Sequence, residues 1–381
     1  MVDLPVRINP GWPNASINES GRLPDNQKDP KMNNFETTDQ LWHQVLTDIE
    51  KDGELIGSRD GETKEILDAT YILDFPRNNI VHHPIRAMNP SYMGMELLWY
   101  MAGQDYTEVP EFFAPHYARF AQDQLRGDAL AVDRRYCWGA YGARINGEQA
   151  GQGANEYIEA LAQRRNFVDQ TQLECIVEML GVKPQSRQAV LQLWSAKDLV
   201  HATAGGMNDV PCTNAIHFLI RNGDLRMTVW MRSSDAWLGL PNDIFAFTSI
   251  QRILAQQLSI GCGQATFHMT SLHYYMKHKE KVLKTLEMGI KDLYNELEGY
   301  APCTGVDACL LFGELQESIR RLRREEALPL PSVINKSHLS YLDVCFAAAM
   351  RRVFAGENNP SIYAKLQEIV DESFFKGLKE C

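Results

Sequence analysis

The chain has 381 residues, of which 44% are hydrophobic and 23% are charged, a balance typical of a globular protein with a sizeable core. No run of 18 or more apolar residues occurs and the N-terminal segment has no apolar stretch, so we expect neither a transmembrane helix nor secretion. The formal net charge of −11 argues against direct nucleic-acid binding, but it is compatible with a local basic pocket for one phosphate.

Apolar periodicity predicts the elements of the N-terminal part of the chain. Leucine, tryptophan, valine and isoleucine residues recur at helical spacing over Thr38–Lys51, which predicts a helix. A turn-like stretch then precedes Ile66–Phe75, which has the pattern of a strand. Residues 93–103 predict a second, apolar helix that carries a single acid, Glu96.

The clearest local pattern lies in residues 214–231, where apolar and polar residues alternate on both sides of Asn222-Gly223. Asn-Gly is a preferred pair in two-residue hairpin turns, so this segment predicts a β-hairpin. A loop through Pro241 and then a helix with a largely apolar face are expected to follow.

The domain organisation predicted from composition is simple. Residues 1–38 are polar and rich in proline and asparagine, which indicates an extended arm. Residues 39–381 show no internal repeat and no composition shift, so we expect one α+β domain with insertions near 122–155 and 301–335.

The eight cysteines are scattered, without a CxxC pair or a histidine at zinc-ligand spacing. A chain of this length without a signal peptide is not expected to depend on disulfides. The sequence therefore predicts a reducing, cytoplasmic location and no bound metal. Most cysteines should be small buried side chains.

One cysteine and one arginine stand at the open end of the predicted hairpin. Cys212 opens the first strand and Arg232 closes the second. A guanidinium lowers the pKa of a neighbouring thiol and also binds phosphate, so the pair indicates a nucleophile beside an anion site. A buried cysteine near a surface arginine is the plain alternative.

The segment from Pro211 to Phe247 resembles the core of the thymidylate synthase family, in which Pro-Cys precedes a hairpin and then Arg-Ser-x-Asp-x-x-Leu-Gly-x-Pro-x-x-Ile. The positions that fit this pattern are Arg232, Ser233, Asp235, Leu238, Gly239, Pro241 and Ile244. Shorter similar segments contain Glu96, Arg59, Arg187 and the pair His273-x-Tyr275. The similarity runs in the right order from about residue 40 to residue 290.

The resemblance implies a thymidylate synthase-like fold, with a mixed β-sheet packed with helices and a homodimer formed through the sheet. Cys212 would attack C6 of a pyrimidine nucleoside monophosphate, and C5 would take a one-carbon unit from 5,10-methylenetetrahydrofolate. Glu96 would handle protons at a raised pKa. The other implied roles are phosphate binding by Arg59, Arg232, Ser233 and the partner subunit's Arg187, sugar binding by His273 and Tyr275, and backbone support by Asp235.

The family asparagine that reads the uracil edge falls on Asp243. Uracil presents an N3–H donor and an O4 acceptor, whereas cytosine presents an N3 acceptor and an N4 amino donor. A carboxylate accepts from N4 and from a protonated N3, so Asp243 favours cytosine, as in the deoxycytidylate hydroxymethylases of this family. The alternative is that Asn242 reads the base and Asp243 is structural.

Further departures concern the remaining contacts and the fate of the one-carbon unit. Thr213 replaces a histidine of the O4 network, and Gln188 replaces the second arginine of the partner-subunit pair. The synthase uses a tryptophan to shield the exocyclic methylene, but residues 110–120 contain none. Residues 374–381 also lack the apolar closing tail of the synthase. Both changes favour water over hydride as the group that adds to the methylene.

The sequence therefore predicts a transferase that converts dCMP, methylenetetrahydrofolate and water to 5-hydroxymethyl-dCMP and tetrahydrofolate, as a phage would use for a modified DNA precursor. Alternatives are dUMP hydroxymethylation and reductive methylation to thymidylate or 5-methyl-dCMP. A nucleotide-binding protein without catalysis is the alternative from another class. No membrane partner is expected.

Overall fold

The computed structural model describes residues 33–120, 135–145, 171–203, 209–290, 299–355 and 359–378. Within these stretches a mixed β-sheet is packed with helices, which confirms the predicted α+β class. Residues 1–32 of the predicted arm and most of the predicted insertion at 122–155 lie outside the described residues. None of the described helices is both long and apolar enough to cross a membrane.

The strands of the described residues form one eight-stranded sheet. Their bounds are β1 Asn33–Phe35, β2 Glu54–Ser58, β3 Gly61–Leu73, β4 Val190–Gln192, β5 Thr213–Arg221, β6 Asp224–Met231, β7 Ser234–Asp235 and β8 Gly261–Tyr275. The order along the sheet is β1-β3-β8-β6-β5-β4, and β2 and β7 pair with β3 and β8. β6 and β7 run parallel to β8, whereas β3 and β8 are antiparallel, so the sheet is mixed.

The α-helices pack in layers against this sheet. In the described residues they are α1 Thr38–Asp52, α2 Pro90–Met101, α3 Glu108–Phe113, α4 Tyr141–Ile145, α5 Gln172–Val182, α6 Ala196–Thr203, α7 Gly239–Gln257, α8 Lys279–Met288, α9 Gly305–Arg323, α10 Tyr341–Phe354 and α11 Pro360–Asp371. α1 and α7 contact the sheet, and α2 packs against α7 and against α10. The predicted insertion at 301–335 contains α9.

The N-terminal elements follow the predicted pattern with shifted ends. α1 begins at the predicted residue, because the Thr37 side chain accepts a hydrogen bond from the Gln40 amide at 3.2 Å and caps the helix. The folded part begins before residue 38, since β1 already pairs in parallel with the end of β3. A strand of three residues is too short to show an alternation that a sequence pattern could reveal.

The hairpin of β5 and β6 is confirmed. Asn222 and Gly223 have φ values of 56° and 86°, so both turn residues adopt the left-handed conformation that this two-residue turn requires. The predicted loop through Pro241 is wrong, because α7 already begins at Gly239. Pro241 is tolerated there because an amide in the first helical turn needs no helical partner.

The two faces of the sheet differ in composition. Alternate residues of β5, β6 and β8, such as Phe218, Val229 and Phe267, are fully buried beneath the helices. The opposite face carries Trp230, which is 39% exposed, and Leu67, which is 67% exposed. Exposed large apolar side chains on a sheet are compatible with a partner surface, but the homodimer stays a prediction.

Candidate active site

A cavity of about 750 Å³ opens where the ends of β6, β7 and β8 meet α2 and α7. Every predicted site residue except Arg187 lines this cavity. The sequence places these residues far apart, so the fold is what brings them together. No three histidine, cysteine or carboxylate side chains in the described stretches converge as ligands of a metal ion.

Cys212 and Arg232 lie side by side at the base of the hairpin. The Cys212 Sγ atom is 3.8 Å from Nη2 of Arg232. The guanidinium is held in place by its donation to the carbonyls of Pro211, at 2.8 Å, and Val210, at 3.1 Å. It also lies over the ring of Trp194, 5.5 Å from the ring centroid. The arginine is therefore fixed beside the thiol before any phosphate arrives.

The pKa of the Cys212 thiol is raised, which qualifies the expectation from the sequence. Burial is the main cause, and the guanidinium of Arg232 opposes it. Three nearby carboxyl groups, those of Asp243, Asp209 and Asp235, raise the thiol pKa further. The free site therefore holds a thiol, and Arg232 provides the main electrostatic support for the thiolate.

Glu96 lies within α2 and is only 5% exposed. Its Oε1 atom accepts hydrogen bonds from the hydroxyls of Tyr92, at 2.6 Å, and Tyr117, at 3.3 Å. Burial raises the Glu96 pKa, whereas the hydroxyls of Tyr92, Tyr117 and Tyr100 lower it, and the net shift is upward as predicted. The sequence analysis did not identify these tyrosines.

Asp243 and Asn242 differ in how they are engaged. The Asn242 side chain donates to the Leu238 carbonyl at 3.0 Å, within the start of α7. The Asp243 carboxyl has no hydrogen-bond partner among the described residues and faces the cavity. Burial is the main cause that raises its pKa well above the usual range, and the nearby acids Glu96 and Asp235 add to it.

The raised pKa of Asp243 extends the base-pairing argument made from the sequence to the protonated form of this side chain. A neutral carboxylic acid carries one donor and one acceptor, whereas a carboxylate only accepts. The acid can donate to N3 of neutral cytosine and accept from its N4 amino group. It can also donate to O4 of uracil and accept from N3–H, so the side chain alone does not exclude uracil.

Asp235 organises the start of α7. Its Oδ1 atom accepts hydrogen bonds from the amides of Trp237, at 2.9 Å, and Leu238, at 3.1 Å. Both bonds fix the backbone that leads into α7, the helix that carries Asp243. This geometry matches the supporting role that the resemblance implies.

The predicted sugar and phosphate contacts line one side of the cavity. His273 and Tyr275 are adjacent, with ring centroids 5.5 Å apart, and burial lowers the His273 pKa, which favours the neutral ring. Arg59 lies in the exposed turn between β2 and β3. Ser234, beside the predicted Ser233, has a buried hydroxyl without a partner in the described residues, which makes it a further candidate donor.

Arg187 is not part of this cavity. It lies exposed in the turn before β4, and its carbonyl accepts a hydrogen bond from the His217 ring at 3.1 Å. The cavity that holds the other predicted phosphate contacts is not lined by Arg187. Its assignment to the site of a partner subunit stays a prediction.

Two further residues of the cavity wall were missed by the sequence analysis. The Tyr141 hydroxyl contacts the Thr213 hydroxyl at 3.0 Å and accepts from the Thr213 amide at 3.1 Å, so it braces the residue after the nucleophile. Asp209 accepts from the Gly139 amide at 2.9 Å. A Cβ at Gly139 would lie 2.6 Å from Asp209 Oδ1, which explains the glycine. Only an aromatic and glycine-rich stretch near residue 140 could have pointed to this wall.

Comparison with known proteins agrees with this geometry. The family profile described as Thymidylate synthase matches residues 40–295, about two thirds of the chain. The chain therefore belongs to the thymidylate synthase family, which confirms the resemblance found in its motifs.

Two relatives illustrate its place in that family. The deoxyuridylate hydroxymethyltransferase of Bacillus phage SP01 is 25% identical over 238 residues, which cover 62% of this chain and 57% of the relative. A thymidylate synthase of Listeria monocytogenes is 28% identical over 115 residues, covering 30% of this chain and 35% of the relative. The matched regions thus cover between 35% and 57% of the length of these relatives.

Proposed function

We propose that this protein transfers a hydroxymethyl group to C5 of dCMP, with 5,10-methylenetetrahydrofolate as the one-carbon donor. The observation that carries the proposal is one cavity that holds a thiol, a buried carboxyl bonded to tyrosine hydroxyls and an unpartnered carboxyl, those of Cys212, Glu96 and Asp243. A volume of about 750 Å³ accommodates a nucleotide together with the ring system of a folate.

In the first step Asp243 recognises the cytosine edge. The acid donates its proton toward N3 and accepts from the N4 amino group, and partial protonation of N3 makes C6 more electrophilic. The thiol proton of Cys212 passes to N10 of the folate as the bond between N10 and the methylene carbon breaks, and Cys212 attacks C6 as the thiolate, supported by the guanidinium of Arg232 at 3.8 Å. The bond to sulfur turns C5 into a nucleophilic carbon.

In the second step C5 bonds to the methylene carbon of the folate, and the C5 proton passes to N5 of the folate as the bond between N5 and the methylene carbon breaks. Loss of tetrahydrofolate leaves an exocyclic methylene on the base, which remains bound to Cys212. Glu96, buried and bonded to tyrosine hydroxyls, is the group placed to take up and return protons. Addition of water to the methylene, followed by release of the thiolate from C6, gives the hydroxymethyl product.

The choice of water over hydride is supported by the wall of the cavity. Residues 110–120 contain no tryptophan, but they contribute Tyr117, whose hydroxyl donates a hydrogen bond to Glu96. A hydroxyl beside a carboxyl favours an ordered water molecule, because both groups can form hydrogen bonds to it. The described C-terminal residues Phe374 and Phe375 are buried in the core and do not line the cavity.

Hydroxymethylation of dUMP is the second candidate. It is favoured by the name of the phage relative and by the raised pKa of Asp243, because the protonated form of this side chain suits the O4 and N3–H groups of uracil. We favour cytosine because N3 of cytosine is basic enough to accept a proton from an acid, whereas O4 of uracil is a far weaker base.

The homodimer predicted from the resemblance also belongs to this proposal. The open face of the sheet carries exposed Trp230 and Leu67, and Arg187 lies exposed at one end of the sheet. A second copy on this face would bury the apolar side chains and bring its own Arg187 toward the neighbouring phosphate site.

A competition experiment tests the function. Purified protein is given equal dCMP and dUMP with methylenetetrahydrofolate, and the products are identified by mass spectrometry. The proposal expects 5-hydroxymethyl-dCMP as the main product. A main product of 5-hydroxymethyl-dUMP would establish the second candidate, and nucleotide binding without release of tritium from C5 would indicate a protein that has lost catalysis.

A further inference from the structure

The hydroxyls around Glu96 form a connected group. Tyr92 and Tyr117 both donate to Oε1, at 2.6 and 3.3 Å, and their own hydroxyls are 3.0 Å apart. Because both bonds end on the same oxygen, they fix the rotation of the carboxyl group and direct Oε2 elsewhere. All three side chains line the cavity that contains Cys212.

Tyr117 reaches this position from a different part of the chain. It lies on a short 3-10 helix at Pro115–Arg119, and its ring packs edge-on against Trp99, with ring centroids 5.8 Å apart. The Trp99 indole is already used, since it donates to the Tyr106 carbonyl at 3.1 Å. The Tyr117 hydroxyl is therefore the polar group that this wall of the cavity offers to the carboxyl.

We propose that Tyr117 is a positioning residue that, with Tyr92, holds Glu96 and the water that adds to the one-carbon unit. The inference rests on the proposed function and deepens it, because it names the groups that commit the intermediate to hydration. The water oxygen bonds to the exocyclic carbon as the C6–S bond breaks. One water proton stays on the new hydroxyl, and the other passes to the Glu96 carboxylate and then to the Cys212 thiolate.

The groups that face Glu96 also predict a change in the pH dependence of the hydration step. They are Tyr92 and Tyr100 from α2, Tyr117 from the 3-10 helix and Asp243 from α7. The tyrosine hydroxyls lower the Glu96 pKa against the effect of burial. Loss of the Tyr117 hydroxyl should therefore raise the Glu96 pKa and move the acidic limb of the hydration step to higher pH.

The test compares Tyr117→Phe and Tyr92→Phe with Tyr363→Phe, a control on α11 away from the cavity. Two quantities are measured with whichever nucleotide the wild type turns over: tritium released from C5 and hydroxymethyl product formed. An unhydrated intermediate reverts with a solvent proton or reacts with an added thiol, so tritium is then released without product. The ratio of product to tritium isolates the hydration step.

We expect Tyr117→Phe to lower this ratio roughly tenfold, the effect of about one lost hydrogen bond, and to shift the acidic limb of the pH profile upward. Tyr92→Phe should act in the same direction and provides the test if Tyr117→Phe does not fold. The control should leave the ratio unchanged. If the wild type forms the hydroxymethyl product and the ratio is unchanged in both variants, the positioning role of Tyr117 is wrong, whereas the proposed function is not affected. A wild type that makes only a methyl product overturns the proposed function itself.

Discussion

Asp243→Asn is the substitution that most sharply tests how the site reads its base. The wild-type carboxyl has no hydrogen-bond partner among the described residues, and burial raises its pKa well above the usual range, which favours the protonated form. The amide has nearly the same shape and volume, so the variant should fold normally. It cannot transfer a proton to N3, however, and it replaces an acidic O–H donor with a weakly acidic N–H donor.

The expected magnitude follows from this loss. With dCMP, the variant loses the strengthened contact to N3 and the activation of C6, whereas with dUMP its amide still donates to O4 and accepts from N3–H. A hydrogen bond with charged character is worth roughly 1.5–3 kcal/mol, and mismatched buried groups add to the difference. We therefore expect the preference to move toward dUMP by about 2–4 kcal/mol, which is roughly 30- to 1,000-fold in relative kcat/KM.

The assay is kcat/KM for both nucleotides, wild type against variant, at fixed folate concentration. Asn242→Ala is the matched control, since its side chain is engaged by the Leu238 carbonyl. If the wild type prefers dCMP and Asp243→Asn keeps that preference, Asp243 does not read the base. If Asn242→Ala causes the switch instead, the alternative assignment made from the sequence is correct.

Three further predictions concern the nucleophile, the dimer and acid stability. Cys212→Ser should abolish tritium release and leave the nucleotide Kd nearly unchanged, because a serine hydroxyl hardly ionises near neutral pH; retained turnover would exclude this nucleophile. Mixed Arg187→Ala and Cys212→Ser protomers should recover partial activity after subunit exchange, and no recovery would mean that each site is built from one chain. Burial lowers the pKa of His82 to about 4, so stability present above pH ~6.5 should fall by up to about 3 kcal/mol as the pH drops toward 4. Urea unfolding at several pH values checks this, and an equally steep loss in His82→Gln would contradict it.

Local signals and motifs made part of the molecule predictable. The Asn222-Gly223 turn is a local preference of the backbone, so the hairpin could be located without tertiary information. The motif around Cys212 and Arg232 placed both residues correctly at one end of that hairpin. β1 escaped prediction because its three residues show no alternation and pair with the end of β3, which is distant in the sequence.

The electrostatics of the site could not be predicted in the same way. The Asp243 pKa is raised by burial and by Glu96, which comes from another helix, so no sequence pattern indicates this shift. Tyr117 and Tyr141 lie on helical segments of only five residues, which are too short to show a periodic pattern, and they enter the cavity through tertiary packing. A resemblance at the level of motifs transfers roles to matching positions and leaves such neighbours unnoticed.

The origin of the product oxygen shows whether water or hydride adds to the exocyclic methylene. The reaction is run in water labelled with heavy oxygen, with dCMP and methylenetetrahydrofolate, and the nucleotide product and the folate product are both analysed. We predict one labelled oxygen in the new C5 substituent and one tetrahydrofolate for each nucleotide product formed. An unlabelled methyl product together with an equal amount of dihydrofolate would contradict it.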